Sequence, residues 1–302
     1  MKAVVVCTSI YEAARPFLPA YLDGIRKLDR ALGRPVDLVL ANDGFHAAAD
    51  AFSSTAGMVH IVEAHGSGIG RVRSRMIEAA AASNCGSIVF CDFDDALLAE
   101  AAGHLAILET ADISFGDLRL IDSSGNLVAP SFFADADVPD RISGSEALVE
   151  RNFLGFSNTA VRAESIPPTA MRIPDNQKAA DWWFFSMLLE AGAEARRCPG
   201  AVAEYRLHGA NTLGGRPAPD IAAALDRCRL FLGHQSSLPP RTDRAAAADR
   251  IEALAAAMSA DPVGWAPVLK QACSQPGVWF DDLRAAATYL QPLHPSRNEE
   301  LP

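Results

Sequence analysis

This 302-residue sequence predicts an α/β fold with a helix-covered sheet, on three observations. Short apolar, β-branched runs alternate with stretches of helical length through the first half of the chain. One of those runs, Ser87-Ile88-Val89-Phe90-Cys91, leads straight into Asp92-Phe93-Asp94-Asp95, the pattern of a buried strand ending in negative charge. From about Asp220 the composition shifts to alanine-rich helix, which looks appended to the alternating part.

The elements follow in order. Ala3 to Cys7 predicts a first strand and Phe17 to Leu32 an amphipathic helix. Val36 to Leu40 predicts a second strand, running into the turn formers Asn42-Asp43-Gly44. Met58 to Val62 is the third, and Gly66-Ser67-Gly68-Ile69-Gly70 then opens a helix to about Ser83. That glycine run resembles a dinucleotide loop, but it follows the third strand and lacks the required spacing. The Ser87 strand comes fourth and Leu97 to Leu108 reads as helix; in the plainer reading of the acidic run, Asp95 caps a helix that begins near Ala96. Strands spaced by helices of this length argue for parallel pairing. After Thr110 the pattern changes: Asp112 to Asp122 alternates as one strand, and Ser123-Ser124-Gly125-Asn126 turns it into Leu127-Val128. A helix from about Glu146, a strand over Thr159 to Arg162 and a loop marked by Pro167, Pro168 and Pro174 come next. Asp181 starts an apolar helix over Trp182 to Leu189, and Ala201 to Tyr205 is the last predicted strand. Helices such as Ala245 to Met258 read as packing or dimerisation surface, and Pro292 to Pro302 as a disordered tail.

The net charge of -10 and pI near 5.2, with no lysine-rich run, disfavour nucleic-acid binding through phosphate neutralisation. The six cysteines are scattered without a Cys-x-x-Cys pair, so neither a zinc site nor a disulfide framework is expected. The N-terminal apolar run is too short for a signal peptide, and no run approaches the roughly 18 apolar residues of a membrane span. A soluble, cytoplasmic protein is expected.

The acidic strand end carries the chemistry. Three carboxylates this close repel one another, and a divalent cation with a phosphorylated ligand would relieve the repulsion. In open α/β folds, the carboxyl ends of strands are where ligands bind. Asp92-Phe93-Asp94-Asp95-Ala96 resembles the first motif of haloacid-dehalogenase phosphatases, with Asp92 as nucleophile. That family, however, opens its core domain with this strand, places Thr or Val where Ala96 stands, and needs a later lysine, for which only Lys178 and Lys270 remain.

The fuller resemblance is to the inverting family 2 glycosyltransferases of the GT-A fold, over roughly Lys2 to Leu213. Asn42-Asp43-Gly44 resembles the family's Asp-Asp-Gly turn, Arg73-Ser74-Arg75-Met76-Ile77 its Arg-Asn-x-Gly-Leu helix, and Asp92-Phe93-Asp94 its Asp-x-Asp motif. Asp112 to Asn126 is similar to the segment that ends Asp-x-x-Gly. Asp181-Trp182-Trp183 looks like Glu-Asp-Trp, and Tyr205-Arg206-Leu207-His208-Gly209-Ala210-Asn211 resembles Tyr-Arg-x-His-x-x-Asn. Departures are Cys7-Thr8-Ser9-Ile10-Tyr11 for Pro-Thr-Tyr-Asn, Asn42 and Ser74 for Asp and Asn, and Ala180 for Glu.

The resemblance implies a Rossmann-like mixed sheet flanked by helices over residues 1–215. Residues 216–291 are then a helical subdomain and 292–302 a tail. It further implies a metal-dependent, inverting transfer from a nucleotide sugar, UDP-linked in preference, to a hydroxyl of a carbohydrate, lipid-linked or small-molecule acceptor. Asp94 would bind Mn²⁺ or Mg²⁺ with His208 on the other side. Asp92 would hold the ribose or a metal-bound water, Asp43 the nucleobase, and Arg73, ahead of Arg71, the nucleotide charge; Thr8 is the one carry-over from the first strand. Asp181 would be the general base, beside tryptophans, one half of them core and one half acceptor platform. Plainer readings compete: Asp43 as a turn residue, Asp181 as a helix cap, His208 as a loop histidine, or the whole domain as a degenerate binding module.

Overall fold

The computed structural model describes residues 2–134, 136–208, 220–274 and 277–290. Among the described residues, ten strands form one mixed sheet. They are β1 (Val4–Ile10), β2 (Asp37–Asn42), β3 (Val59–Glu63), β4 (Ser87–Phe90), β5 (Ala96–Leu97), β6 (Ile113–Asp122), β7 (Leu127–Ala129), β8 (Arg141–Ile142), β9 (Thr159–Arg162) and β10 (Ala195–Leu207). The main order is β3-β2-β1-β4-β9-β6-β10-β5, with β7 beside β6 and β8 beside β10.

The first four strands pair in parallel, as their alternation with helices requires. Every residue of β1 is buried, the continuous apolar reading of a central strand covered on both faces. The covering helices are α1 (Leu18–Leu32), the short α2 (Ala48–Ala51) and α3 (Ile69–Ala82). β9 then enters antiparallel between β4 and β6, which makes the sheet mixed, as the family resemblance implied.

Three predicted elements change. Leu97 to Leu108 is not one helix: Ala96 and Leu97 pair with β10 as β5, and only α4 (Gly103–Leu108), after a 3-10 turn, is α-helical. Asp95 does not cap it, because its carboxylate accepts from the backbone N–H of Arg206 at 2.7 Å and from the Ser157 hydroxyl. The helix expected from Glu146 is a single 3-10 turn, Ser145–Leu148, after which the chain leads to Asn152, bridged to Trp279. β10 starts well before Ala201 and keeps its pairing with β6 through a bulge between Arg197 and Ala203, across Pro199-Gly200. The glycine run before α3 serves contact with a neighbouring loop: a Cβ at Gly70 would lie 2.0 Å from the Pro174 carbonyl oxygen.

After α5 (Ala180–Glu190) and β10 come α6 (Ile221–Ser237), α7 (Thr242–Ala260), α8 (Pro262–Ser274) and α9 (Asp281–Ala287). Asp220 caps α6 by accepting from the Ala223 N–H at 2.9 Å. These helices share the hydrophobic core of the sheet through α5. Trp182 packs on Phe231 and Phe280 at centroid distances of 5.6 and 4.7 Å, and stacks on His234 at 3.9 Å. Among the described residues, no helix is long and apolar enough to cross a membrane.

Candidate active site

A cavity of about 300 Å³ opens at the carboxyl ends of β1, β2 and β4. There the strand order passes from β2 through β1 to β4, the switch point at which open α/β sheets receive ligands. One wall comes from Ser9 and Tyr11 after β1, Asp43 after β2, Arg73 on α3, and Asp92 and Asp94 after β4. The facing wall comes from Gly155, Phe156 and Ser157 before β9, Lys178, Ala180 and Asp181 at the start of α5, Tyr205 of β10, and Trp279.

The charged wall is cross-braced. The Arg73 guanidinium meets Asp92 Oδ1 at 2.6 Å and lies 5.1 Å over the Phe156 ring. Burial pushes the Asp92 carboxyl up; Arg73 opposes that shift and Asp94 adds to it. Asp94 Oδ2 lies 2.7 Å from His208 Nε2 and accepts from the Tyr11 hydroxyl at 3.3 Å. His208 in turn stacks on Phe17. Beneath them Asp95 is buried, its carboxyl held well above the ordinary range by burial and by Asp94 and Asp92. The Arg206 side chain donates to the Asp94 carbonyl at 2.9 Å and so ties β10 to the acidic turn.

Across the cavity stands Asp181, in the first turn of α5, accepting from the Trp182 N–H at 2.7 Å. The residue before the helix is Ala179, so Asp181 is not its N-cap. Burial pushes the Asp181 carboxyl up to about 6. A carboxylate with a pKa near neutrality suits proton transfer at physiological pH.

The residues singled out from sequence separate into two groups. Asp43, Arg73, Asp92, Asp94 and Asp181 line one cavity, and His208 joins them through Asp94. Thr8 does not join them: it is 0% exposed, its hydroxyl donating to the Ser9 carbonyl at 3.3 Å, and its neighbours Ser9 and Tyr11 face the cavity instead. Arg71 is exposed and outside the lining. Asn42 is a turn residue, accepting from the Phe45 N–H and donating to Glu63. Trp182 and Trp183 are both core, their indole N–H groups donating to the carbonyls of Leu148 and Ser237, so the expected half-and-half division between core and acceptor platform does not hold. Gly209 to Asn211, the end of the last motif, lies outside the described residues. Sequence reasoning missed Ser157, Phe156 and Trp279, which carry no local signal. It also missed the roles of Asp95 and Arg206, both of which sit inside recognised motifs.

The haloacid-dehalogenase alternative does not fit this topology, since the acidic strand is fourth in the chain and not the opening strand of its domain. Comparison with protein-family models and with curated proteins finds no match. Solved structures do match. S. aureus TarS 1–349 in complex with UDP-GlcNAc aligns with a TM-score of 0.55 at 14% identity, over 94% of this chain and 81% of that one. Mannosyltransferase PcManGT from Pyrobaculum calidifontis, in complex with GDP-Man and Mn²⁺, aligns with a TM-score of 0.56 at 16% identity, over 95% and 86%. At that identity the likeness speaks to architecture, and with the sheet order and motif order it settles the fold: the chain is a GT-A nucleotide-sugar transferase fold with C-terminal helices.

Proposed function

We propose that the protein is a metal-dependent, inverting glycosyltransferase that moves a sugar from a nucleoside diphosphate to an acceptor hydroxyl. The observation that carries this reading is the convergence of the Arg73–Asp92 and Asp94–His208 pairs with Asp181 on one cavity. Both structures named above were solved with nucleotide sugars, UDP-GlcNAc and GDP-Man, which supports a donor of that class and leaves the base open between uracil and guanine.

The donor set suits a divalent cation. Asp94 Oδ2 and His208 Nε2 are adjacent, and among the described residues no group of three or more His, Cys, Asp or Glu side chains forms a protein cage. Mg²⁺ and Mn²⁺ commonly take one or two protein ligands and complete their shell with phosphate oxygens and water. When bound, such a cation offsets the charge that builds on the departing diphosphate. Arg73 adds positive charge from the protein side, and Asp92, held by it, is placed for the ribose. Ser9, Tyr11 and Asp43 form the nucleoside end, with Ser9 and Tyr11 taking the place expected of Thr8. Asp181 accepts the proton of the acceptor hydroxyl as that oxygen attacks, which makes a competent nucleophile of a weak one. A single displacement of this kind inverts the anomeric carbon.

Incubation with UDP- and GDP-sugars plus Mn²⁺ or Mg²⁺ should release nucleoside diphosphate only with metal present, and NMR should show an inverted product. A product of retained configuration contradicts the mechanism, and donor binding without turnover favours a binding module. Steady phosphate release from p-nitrophenyl phosphate, lost in Asp92→Asn, contradicts the transferase reading.

A further inference from the structure

We infer that Trp279 and Tyr205 form a stacking platform for a pyranoside acceptor, so that the C-terminal helices take part in acceptor selection. The inference rests on the glycosyltransferase reading and adds the acceptor's class to it.

With Trp182 and Trp183 in the core, the aromatic lining of the cavity is Tyr11, Phe156, Tyr205 and Trp279. Tyr11 is engaged with Asp94, and Phe156 lies under Arg73. Tyr205 and Trp279 share the wall that carries Asp181. Their rings meet edge to face with centroids 5.9 Å apart, and Phe132 backs the indole at 4.6 Å.

Three features show that the indole is held at this wall by more than core packing. The next residue, Phe280, adopts a left-handed φ of 73°, uncommon and costly for a bulky side chain. Its ring is pinned between Trp182 and Phe231, and the Trp279 carbonyl accepts from the Asn152 N–H at 3.0 Å, so the surroundings impose this backbone. Gly155 clears the path: a Cβ there would come 2.8 Å from Trp279 Cη2. Finally, buried tryptophans ordinarily find an acceptor for the indole N–H. Trp182 and Trp183 do, whereas Trp279 Nε1 has no hydrogen-bond partner among the described residues.

A pyranose suits such a wall. Its C–H face packs on an aromatic plane while its edge hydroxyls remain free for polar groups, here the Asp181 carboxylate on the same wall. An acyclic polyol or a peptide hydroxyl has no comparable flat apolar face.

The test uses the full chain with Mg²⁺. Calorimetry with UDP and GDP comes first, and failure of both to bind would break the glycosyltransferase reading itself. With the bound nucleotide present, saturation-transfer NMR is run on methyl glycosides of glucose, galactose, mannose and N-acetylglucosamine, with glycerol and a serine peptide as controls. At least one glycoside should bind through its C–H face and the controls should not. Trp279→Leu should weaken that binding roughly tenfold or more, the usual cost of removing a tryptophan anchor. Trp279→Phe should restore most of it, and nucleotide affinity should stay within twofold in both. Failure of every glycoside to bind, equal binding of the controls, or a folded Trp279→Leu protein with unchanged glycoside affinity each overturns the inference. Should the leucine variant not fold, Trp279→Phe decides: a measurable loss supports the platform, and wild-type affinity overturns it.

Discussion

The two walls of the cavity differ in how they hold charge. On the wall built by β1, β4 and α3, the acidic groups have partners: Asp92 meets Arg73, Asp94 meets His208 and Tyr11, and Asp95 below accepts from Ser157 and Arg206. On the wall built by α5, β10 and Trp279, a single carboxylate, Asp181, stands with aromatic rings and is raised to about 6 by burial. A braced, preorganised wall suits binding of a charged ligand, and an isolated carboxylate with a raised pKa suits proton transfer. On the proposed reading, affinity and chemistry are carried by separate elements, and variants should separate them.

The largest separation is expected from Asp181→Asn. The amide keeps the shape but cannot accept the acceptor's proton, so kcat should fall by roughly 10²–10⁴-fold. Donor affinity, measured by calorimetry, should be nearly unchanged, because a group that acts in the transition state leaves ground-state binding alone. A parallel loss of donor affinity would merge the two walls into one function.

The next effect is on pH dependence. As the proposed base, Asp181 must be ionised to act, and burial pushes its carboxyl up to about 6. kcat/KM should therefore fall about tenfold per pH unit below that value, where an ordinary carboxylate near 4 would place the limb two units lower. A rate profile flat down to pH 5 would remove Asp181 from the role of base.

The smallest effect is on stability, and its sign is opposite to the effect on rate. Well below pH 4 the Asp181 carboxyl is protonated in folded and unfolded chains alike. As pH rises to 6, the unfolded chain ionises first, so above about pH 6 the folded state is penalised by roughly 1–3 kcal/mol. Asp181→Asn removes that penalty. In thermal melts of the ligand-free protein, the variant should be the more stable at pH 8 and close to wild type near pH 4. A lower Tm at pH 8 would show that the carboxylate stabilises the fold.

The braced wall is also the part that was legible in the sequence. β1 and β4 are built on short apolar runs, Val4 to Cys7 and Ile88 to Phe90, and Asp92, Asp94 and Arg73 stand at motif positions whose spacing fixes which end of the sheet they occupy. The facing wall was less legible because long-range contacts place it. Pro199-Gly200 inside β10 looks like a break and is accommodated as a bulge by pairing with β6. Nothing local tells Ala96-Leu97 from the start of a helix until β10 is beside it. The burial of Trp182 and Trp183 did leave a signal, since α5 is apolar around most of its circumference and such helices are buried all round. Trp279 left none, being positioned by Phe280 and by Asn152, far away in sequence.

The most direct measurement is calorimetric titration of UDP and GDP into wild-type protein and Asp94→Ala, with and without Mn²⁺. Wild type should bind one of the two nucleotides with an affinity that Mn²⁺ raises, and Asp94→Ala should lose that gain, by roughly 10²-fold, while melting normally. Failure of wild type to bind either nucleotide with Mn²⁺ present, or an Mn²⁺ effect undiminished in Asp94→Ala, would contradict the assignment of this cavity as a metal-assisted nucleotide-sugar site.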